Sequence, residues 1–280
     1  MKFKGRLIII TGGSSGLGKA LAQKLFNRGA SLALMARDKS KLKAVRDDLR
    51  KSARAGQKVE IFPCDVSDYA RVEQTMKTIV DTLGLPYLLI NSAGVISESY
   101  FEKQSLQTFH RVMDINFFGT LHCIKAVLPY FQQRKKGRIV NICSMAGLMG
   151  VFGYSAYCSS KHAIAGLTHT LRAELKPQKI RFHLVCPPEF ASPMVEELSK
   201  YRSAENREMA QTIPVLNCDL VADSVIRGME KGRYEIVPGA LTRLIRMIDR
   251  ISPTFGRAAV DYRLKKISSG RNLKSAPDRP

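Results

Sequence analysis

Short apolar runs alternate with stretches of helical period along most of the chain. Arg6–Thr11 (RLIIIT), Ser31–Ala36 (SLALMA), Val59–Pro63, Tyr87–Asn91 (YLLIN), Arg138–Cys143 (RIVNIC), Arg181–Cys186 (RFHLVC) and Tyr234–Val237 read as strands. Consecutive apolar residues, as in RLIIIT, are the pattern of a strand covered on both faces. The intervening pattern predicts helices near 17–28, 40–53, 69–83, 105–133, 156–175 and 219–231, with a looser segment at 189–215. Strands alternating with helices predict a Rossmann-like doubly wound α/β fold of about seven parallel strands, with helices on both faces. Ligands of such sheets sit at the C-terminal strand ends. No internal repeat interrupts the pattern. Residues 1–240 therefore read as one domain, and 241–280 as a basic amphipathic C-terminal extension and tail.

The 280 residues are 45% hydrophobic and 25% charged, enough apolar material for a large core. That excludes a disordered chain, a collagen-like fibre and a small disulfide scaffold. No run of 18 apolar residues occurs, so no spanning helix is expected. Met1-Lys2-Phe3-Lys4-Gly5-Arg6 leads straight into the first strand, so no signal peptide is expected. The six cysteines form no C-x-x-C pair and read as buried thiols of a reducing, cytoplasmic setting. The five histidines show no metal-ligand spacing, so no metal is expected. A formal net charge of +21 favours anionic partners: nucleic acid, an anionic membrane or a phosphorylated cofactor.

The third of these gains support directly after the first strand. Gly12, Ser14, Ser15, Gly16, Leu17 and Gly18 lie in a G-x-x-x-G-x-G turn between strand and helix. Glycines let backbone approach a pyrophosphate, and the helix N-terminus offers N–H donors and a favourable dipole. After the second strand an acid would bind a free ribose 2′-hydroxyl, and an Arg would accommodate a 2′-phosphate. Ala36 stands where that acid would be, Arg37 follows, and Lys41 lies one turn on, which favours NADPH/NADP+. Asp38 would become a ribose ligand if the strand ended one or two residues later. Asp65, in Cys64-Asp65-Val66 after the third strand, is placed to accept a hydrogen bond from adenine. The small residues of Asn91-Ser92-Ala93-Gly94, after the fourth, suit close packing beside the cofactor.

Tyr157 and Lys161 share a helix face, Ser144 ends the fifth strand, and Asn116 lies in the preceding helical stretch. With the Gly-rich turn and Asn91–Gly94, this set resembles a classical short-chain dehydrogenase/reductase from about residue 5 to 238. The resemblance implies that Tyr157 protonates a carbonyl oxygen as hydride reaches carbon. Lys161 would lower the phenol's pKa from about 10 and hold the nicotinamide ribose. Ser144 would polarise the carbonyl, and Asn116 would steady a water linking Lys161 to solvent. One departure stands out: Pro187-Pro188-Glu189-Phe190-Ala191-Ser192 replaces the family's Pro-Gly loop, and Pro188 removes a backbone donor. Phe190 takes the place of a small aliphatic residue, and Ser192 that of a Thr that holds the carboxamide.

Met145, Met149, Phe152, Tyr154 and Met194 are the expected substrate pocket, an adaptable apolar surface suited to a lipid-like ketone. TGGSSGLG at Thr11–Gly18, Gly150–Gly166 and the Pro187-Pro188 pair are similar to the 3-ketodihydrosphingosine (3-dehydrosphinganine) reductase subgroup. Steroid and retinoid enzymes share the Ala-Arg element and form the alternative, in the oxidising direction. A third reading is a nucleic-acid- or membrane-binding protein that senses a dinucleotide. An intact catalytic set argues against it, and without a C₂H₂ or RNP-like motif specific nucleic-acid binding is not expected. The family suggests a homodimer or homotetramer. Leu241, Leu244, Ile245, Ile248 and Ile251 recur at helical spacing among Arg243, Arg246 and Arg250. Such a helix packs on its own domain or associates peripherally with an anionic membrane. The tail at 268–280 is expected to be disordered.

Overall fold

Leu7–Thr11 (β1) is buried at every position, and its side chains divide by parity. Ile8 and Ile10 enter one core, Leu7 and Ile9 the other. A central strand of a sheet sandwiched between helix layers must be apolar on both sides. In the computed structural model, which describes residues 3–269, seven parallel strands follow the order β3-β2-β1-β4-β5-β6-β7. The others are Ser31–Ala36 (β2), Val59–Pro63 (β3), Leu88–Asn91 (β4), Gly137–Ile142 (β5), Ile180–Val185 (β6) and Glu235–Ile236 (β7). Chain order reverses between β1 and β4, so the strand ends open a crevice there.

Gly16–Asn27 (α1), Lys39–Arg50 (α2), Tyr69–Leu83 (α3), Leu106–Met113 (α4), Gly119–Gln133 (α5) and Ser155–Glu174 (α6) connect the strands up to β6. The expected continuous helix at 105–133 is instead α4 and α5 joined by a π-helical segment, Asp114–Phe118. The looser segment contains two short helices, Pro193–Ser199 (α7) and Ala204–Ala210 (α8), before Cys218–Glu230 (α9). Beyond β7 the extension folds as Ala240–Ile251 (α10) and Pro253–Ser269 (α11). The tail expected to be disordered from 268 instead begins inside α11, which runs to Ser269; from 270 on it lies outside the described residues. Among those residues no helix is long and apolar enough to cross a membrane.

A polar chain crosses the core beneath the site. Asn91 Nδ2 donates to Asn141 Oδ1 at 2.8 Å, and Asn141 Nδ2 to Thr168 Oγ1 at 2.8 Å. Thr168 Oγ1 then donates to Ile164 O at 2.6 Å. These groups are buried, so each bond avoids an unpaired polar atom in the interior. The chain ties β4 and β5 to α6, the helix that carries Tyr157 and Lys161.

Candidate active site

The Gly-rich turn is shaped by close approach. Gly12 has φ +67°, and a Cβ there would lie 2.9 Å from Ala93 N and the Ser92 carbonyl. A Cβ on Gly18 would sit 2.2 Å from Gly12 O, so the turn can close only with glycine at both positions. Ser15 is the N-cap of α1 without a side-chain capping bond, and Gly16 carries φ +49°. The first N–H groups of α1 therefore face the cavity without a side-chain acceptor, as an anionic ligand requires. Thr11 Oγ1 accepts from Ser92 N and Ala93 N, each at 3.1 Å, clamping the end of β4 onto β1.

Around the adenosine end, β2 stops at Ala36, and Arg37 stands exposed just beyond it. Asp38 is the N-cap of α2: its Oδ1 accepts from Lys41 N at 2.9 Å, and its carboxylate lies 3.6 Å from Lys41 Nζ. The carboxylate that would serve a free ribose 2′-hydroxyl is thus engaged in capping, and Lys41 is its partner. Asp65 accepts from Ser67 N (3.0 Å) and Ser67 Oγ (2.7 Å). Those bonds and the nearby Arg37 outweigh burial and hold its pKa below the ordinary carboxylate value. Val66 is buried, with its carbonyl bonded to His122 Nδ1 at 2.9 Å. Asn91 spends its amide on Asn141 and lies off the cavity wall.

The catalytic candidates converge. Lys161 is buried and donates from Nζ to Ile142 O at 2.9 Å, where β5 ends. Its ammonium lies 5.5 Å from the Tyr157 ring centroid, and desolvation lowers its pKa. A Cβ on Gly94 would be 3.7 Å from Lys161 Nζ, which brings the β4 loop to the same spot. Ser144 lies beside Tyr157 on the same cavity wall and opposes the upward push on its pKa. Ser144 Oγ also accepts from Ala146 N at 3.1 Å, which fixes its rotamer.

Burial is the largest influence on Tyr157 and pushes its phenol pKa up, with Ser144 opposing. The phenol is thereby held protonated, the state a proton donor needs. Asn116 lies at the junction of the loop after β4 and α6. Its Oδ1 accepts from Val95 N (2.8 Å), and its Nδ2 donates to Val95 O (3.0 Å) and Ser160 Oγ (2.9 Å). With its side chain committed, Asn116 fastens the loop after β4 to α6 through a π-helical turn, an irregularity frequent at functional sites.

The Pro187-Pro188 loop is anchored rather than open. Pro187 O accepts from Met145 N at 3.0 Å. Phe190 pairs with Leu216 as an isolated parallel bridge, and its ring meets the core. Ser192, expected to hold a carboxamide, caps α7 by accepting from Val195 N at 3.4 Å. A Cβ on Gly16 would lie 3.8 Å from Ser192 Cβ, so this loop closes over the Gly-rich turn.

One cavity of about 1250 Å³ joins these parts. Gly12, Ser15–Gly18, Ala93, Gly94, Ser144, Tyr157, Lys161, Pro187, Phe190 and Ser192 line it, as do all five expected pocket residues. Ser14, Arg37, Lys41, Asp65, Val66, Asn91 and Asn116 are off its wall. Tyr154 packs edge-on against Tyr157 with centroids 5.6 Å apart, and burial raises its pKa.

Other site residues carry no local motif. Arg202 Nη1 donates to Glu189 Oε1 at 3.2 Å, while Nη2 donates to Glu189 Oε2 and, at 3.2 Å, to the Tyr154 hydroxyl. Glu98 accepts from Ser203 N (3.0 Å) and Ser203 Oγ (2.5 Å), and Asn206 Nδ2 donates to Phe152 O at 2.6 Å. These bonds hold α7 and α8 over the pocket. Ile245, Ile248, Val260 and Leu264, from α10 and α11, complete the wall. The sequence signal for the first two was the apolar periodicity of α10.

Comparison with known proteins agrees with this geometry. The family model for short chain dehydrogenases matches residues 6–203. The chain belongs to that family and is an oxidoreductase of it. Among curated relatives, it is 35% identical over 258 residues to a 3-ketodihydrosphingosine reductase of Dictyostelium discoideum, covering 87% of this chain and 77% of that one. It is 34% identical over 232 residues to the 3-ketodihydrosphingosine reductase of Mus musculus, covering 82% and 70%. The crystal structure of a short chain dehydrogenase/reductase from Burkholderia phymatum in complex with NAD superposes with a TM-score of 0.77 at 25% identity, covering all of both chains. Family members use a nicotinamide dinucleotide, and the glycine cradle and the uncapped start of α1 suit its pyrophosphate.

Proposed function

We propose that the protein is an NADPH-dependent reductase of a long-chain ketone, with 3-ketodihydrosphingosine as its substrate. The observation that carries this reading is a single cavity joining the Ser144–Tyr157–Lys161 cluster to a methionine- and aromatic-lined chamber. The part lined by Met145, Met149, Phe152 and Met194 suits an alkyl chain. The similarity to the two sphingoid reductases points to the same substrate class.

NADPH, when bound, supplies a hydride to the carbonyl carbon. Gly12, Gly16 and Gly18 would leave room for its pyrophosphate, and Lys161 would hold the nicotinamide ribose. The chain's own residues do the rest. Ser144 donates a hydrogen bond to the carbonyl oxygen and stabilises charge developing there. Tyr157 delivers its proton to that oxygen, so the ketone gains a hydride and a proton and becomes a secondary alcohol. The Lys161 ammonium, fixed by Ile142 O, stabilises the phenolate left behind. Arg37, with Asp38 diverted to capping, favours the 2′-phosphate of NADPH.

The test is the initial rate of NADPH oxidation with 3-ketodihydrosphingosine in detergent micelles, with NADH alongside and a Tyr157→Phe control. Turnover with NADPH, lost in the control while cofactor binding persists, is expected. Retained NADPH binding without turnover would remove the sphingoid assignment and turn the search to steroid and retinoid substrates.

A further inference from the structure

α10 carries an apolar face that its own domain does not cover. Its inward positions are Thr242, buried, and Arg246 and Asp249, both largely covered. Arg246 is ion-paired to Glu235 at 3.2 Å and to Asp249 at 3.4 Å. Its outward positions are Leu241, Leu244, Met247 and Ile251, exposed by 44, 47, 53 and 77%. At about 100° per residue these four fall within an arc of roughly 120°. Ile248 falls inside that arc and Ile245 beside it, and both line the cavity. Arg246, Asp249 and Arg250 line the cavity beside them, so α10 meets the site with a mixed face and solvent with an apolar one.

Four large apolar side chains on one exposed arc have no cover within the described chain, and exposure of this kind marks an interaction surface. Arg243 and Arg250 lie along one edge of the arc and Arg257 follows on α11, the latter two also lining the cavity; all three are exposed, and none is ion-paired among the described residues. That border selects the occupant. A second copy seated about a two-fold axis would set these arginines against their own equivalents. Anionic headgroups would neutralise them, while the acyl boundary receives Leu244 and Ile251.

We propose that the outward face of α10 docks on an anionic lipid bilayer, which places the wall of the catalytic cavity at the membrane surface. A lipid ketone would then enter between membrane and cavity without crossing water. The docking stands apart from the identity of the ketone, because its readout is vesicle binding and not turnover.

The test is co-sedimentation of the full chain with phosphatidylcholine vesicles, with and without roughly one-third phosphatidylglycerol, at about 0.15 M salt. The comparison is the double variant Leu244→Gln/Met247→Gln, which leaves the net charge unchanged. The wild type is expected on the anionic vesicles, with the variant bound about tenfold more weakly or worse. Equal binding of both proteins would overturn the proposal, since charge alone would then suffice. So would a wild type that stays off the vesicles, or a wild-type dimer in sedimentation velocity that the variant dissociates. Ile251→Gln reads the same contact at the most exposed position if the double variant melts early.

Discussion

Arg202→Met removes a guanidinium that is only 7% exposed from a Glu189 carboxylate that is 18% exposed. Both groups lost most of their hydration on folding, and each is tolerated because the other is there. Taking away one partner strands the other, at a cost of about 3–5 kcal/mol. A solvated surface pair would cost less than about 1 kcal/mol. The Tyr154 hydroxyl, 3.2 Å from Nη2, also loses its donor. Glu189→Gln keeps the shape but leaves the guanidinium without its counter-charge, so it should cost a similar amount or slightly less. Replacing both by Met removes two desolvated charges together and should cost much less than the sum, a coupling of about 2–4 kcal/mol. Urea denaturation of the four proteins measures this cycle. Since α7 and α8 roof the pocket, the single variants should also raise KM more than they lower kcat. Single variants within about 0.5 kcal/mol of wild type, with an additive double, would refute the buried-clamp reading.

Three further outcomes follow from the same geometry. Gly18→Ala forces a Cβ to 2.2 Å from Gly12 O; it should abolish measurable cofactor affinity by fluorescence titration while far-UV circular dichroism stays native. Arg37→Ala should lower the preference for NADPH over NADH at least about tenfold, the equivalent of ~1.4 kcal/mol, in parallel titrations of the two cofactors; an unchanged ratio would mean that Arg37 does not meet the 2′-phosphate. His183 is 1% exposed, with Nδ1 donating to Arg233 O, and burial depresses its pKa below 6.5. Its neutral form is the one that suits the fold, so its contribution is complete above about pH 6.5. It is lost as pH falls from there toward the folded value, with a slope of up to ~1.4 kcal/mol per pH unit that His183→Gln should remove in urea titrations.

The strands were readable because a doubly covered strand must be a continuous apolar run, and β1, β2 and β4 are such runs. Their edges shifted by a residue, as at Gly137–Ile142, since the ladder ends where hydrogen bonding ends and not where hydrophobicity does. The break at Asp114–Phe118 was hidden, because a single π-helical turn slips the apolar phase by only about one residue, and it accompanies the bonds from Asn116 to Val95 and Ser160. Ser144, Tyr157 and Lys161 were legible as a motif. Glu98 and Arg202 were not, since their partners are distant in the chain and no local pattern announces a buried ion pair. Asp38 shows the ambiguity of a single acid: one residue past β2 it can cap a helix or meet a ribose, and only the backbone geometry decides. The apolar spacing of α10 was visible, but its facing was set by the pairing of Arg246 with Glu235, a tertiary event.

The Asn91–Asn141–Thr168 chain acts as an index mark for the catalytic helix. Thr168 lies seven residues, about two turns, beyond Lys161 and therefore shares its azimuth on α6. Turning α6 by a single residue would swing Tyr157 and Lys161 about 100° away from Ser144 and Ile142. The same turn would break the bond between Asn141 and Thr168 in a place water cannot reach. Apolar packing alone tolerates small rotations of a helix, because one methyl can replace another. A hydrogen bond in the dry interior does not, and this one sets the angular position of the proton donor from two turns away.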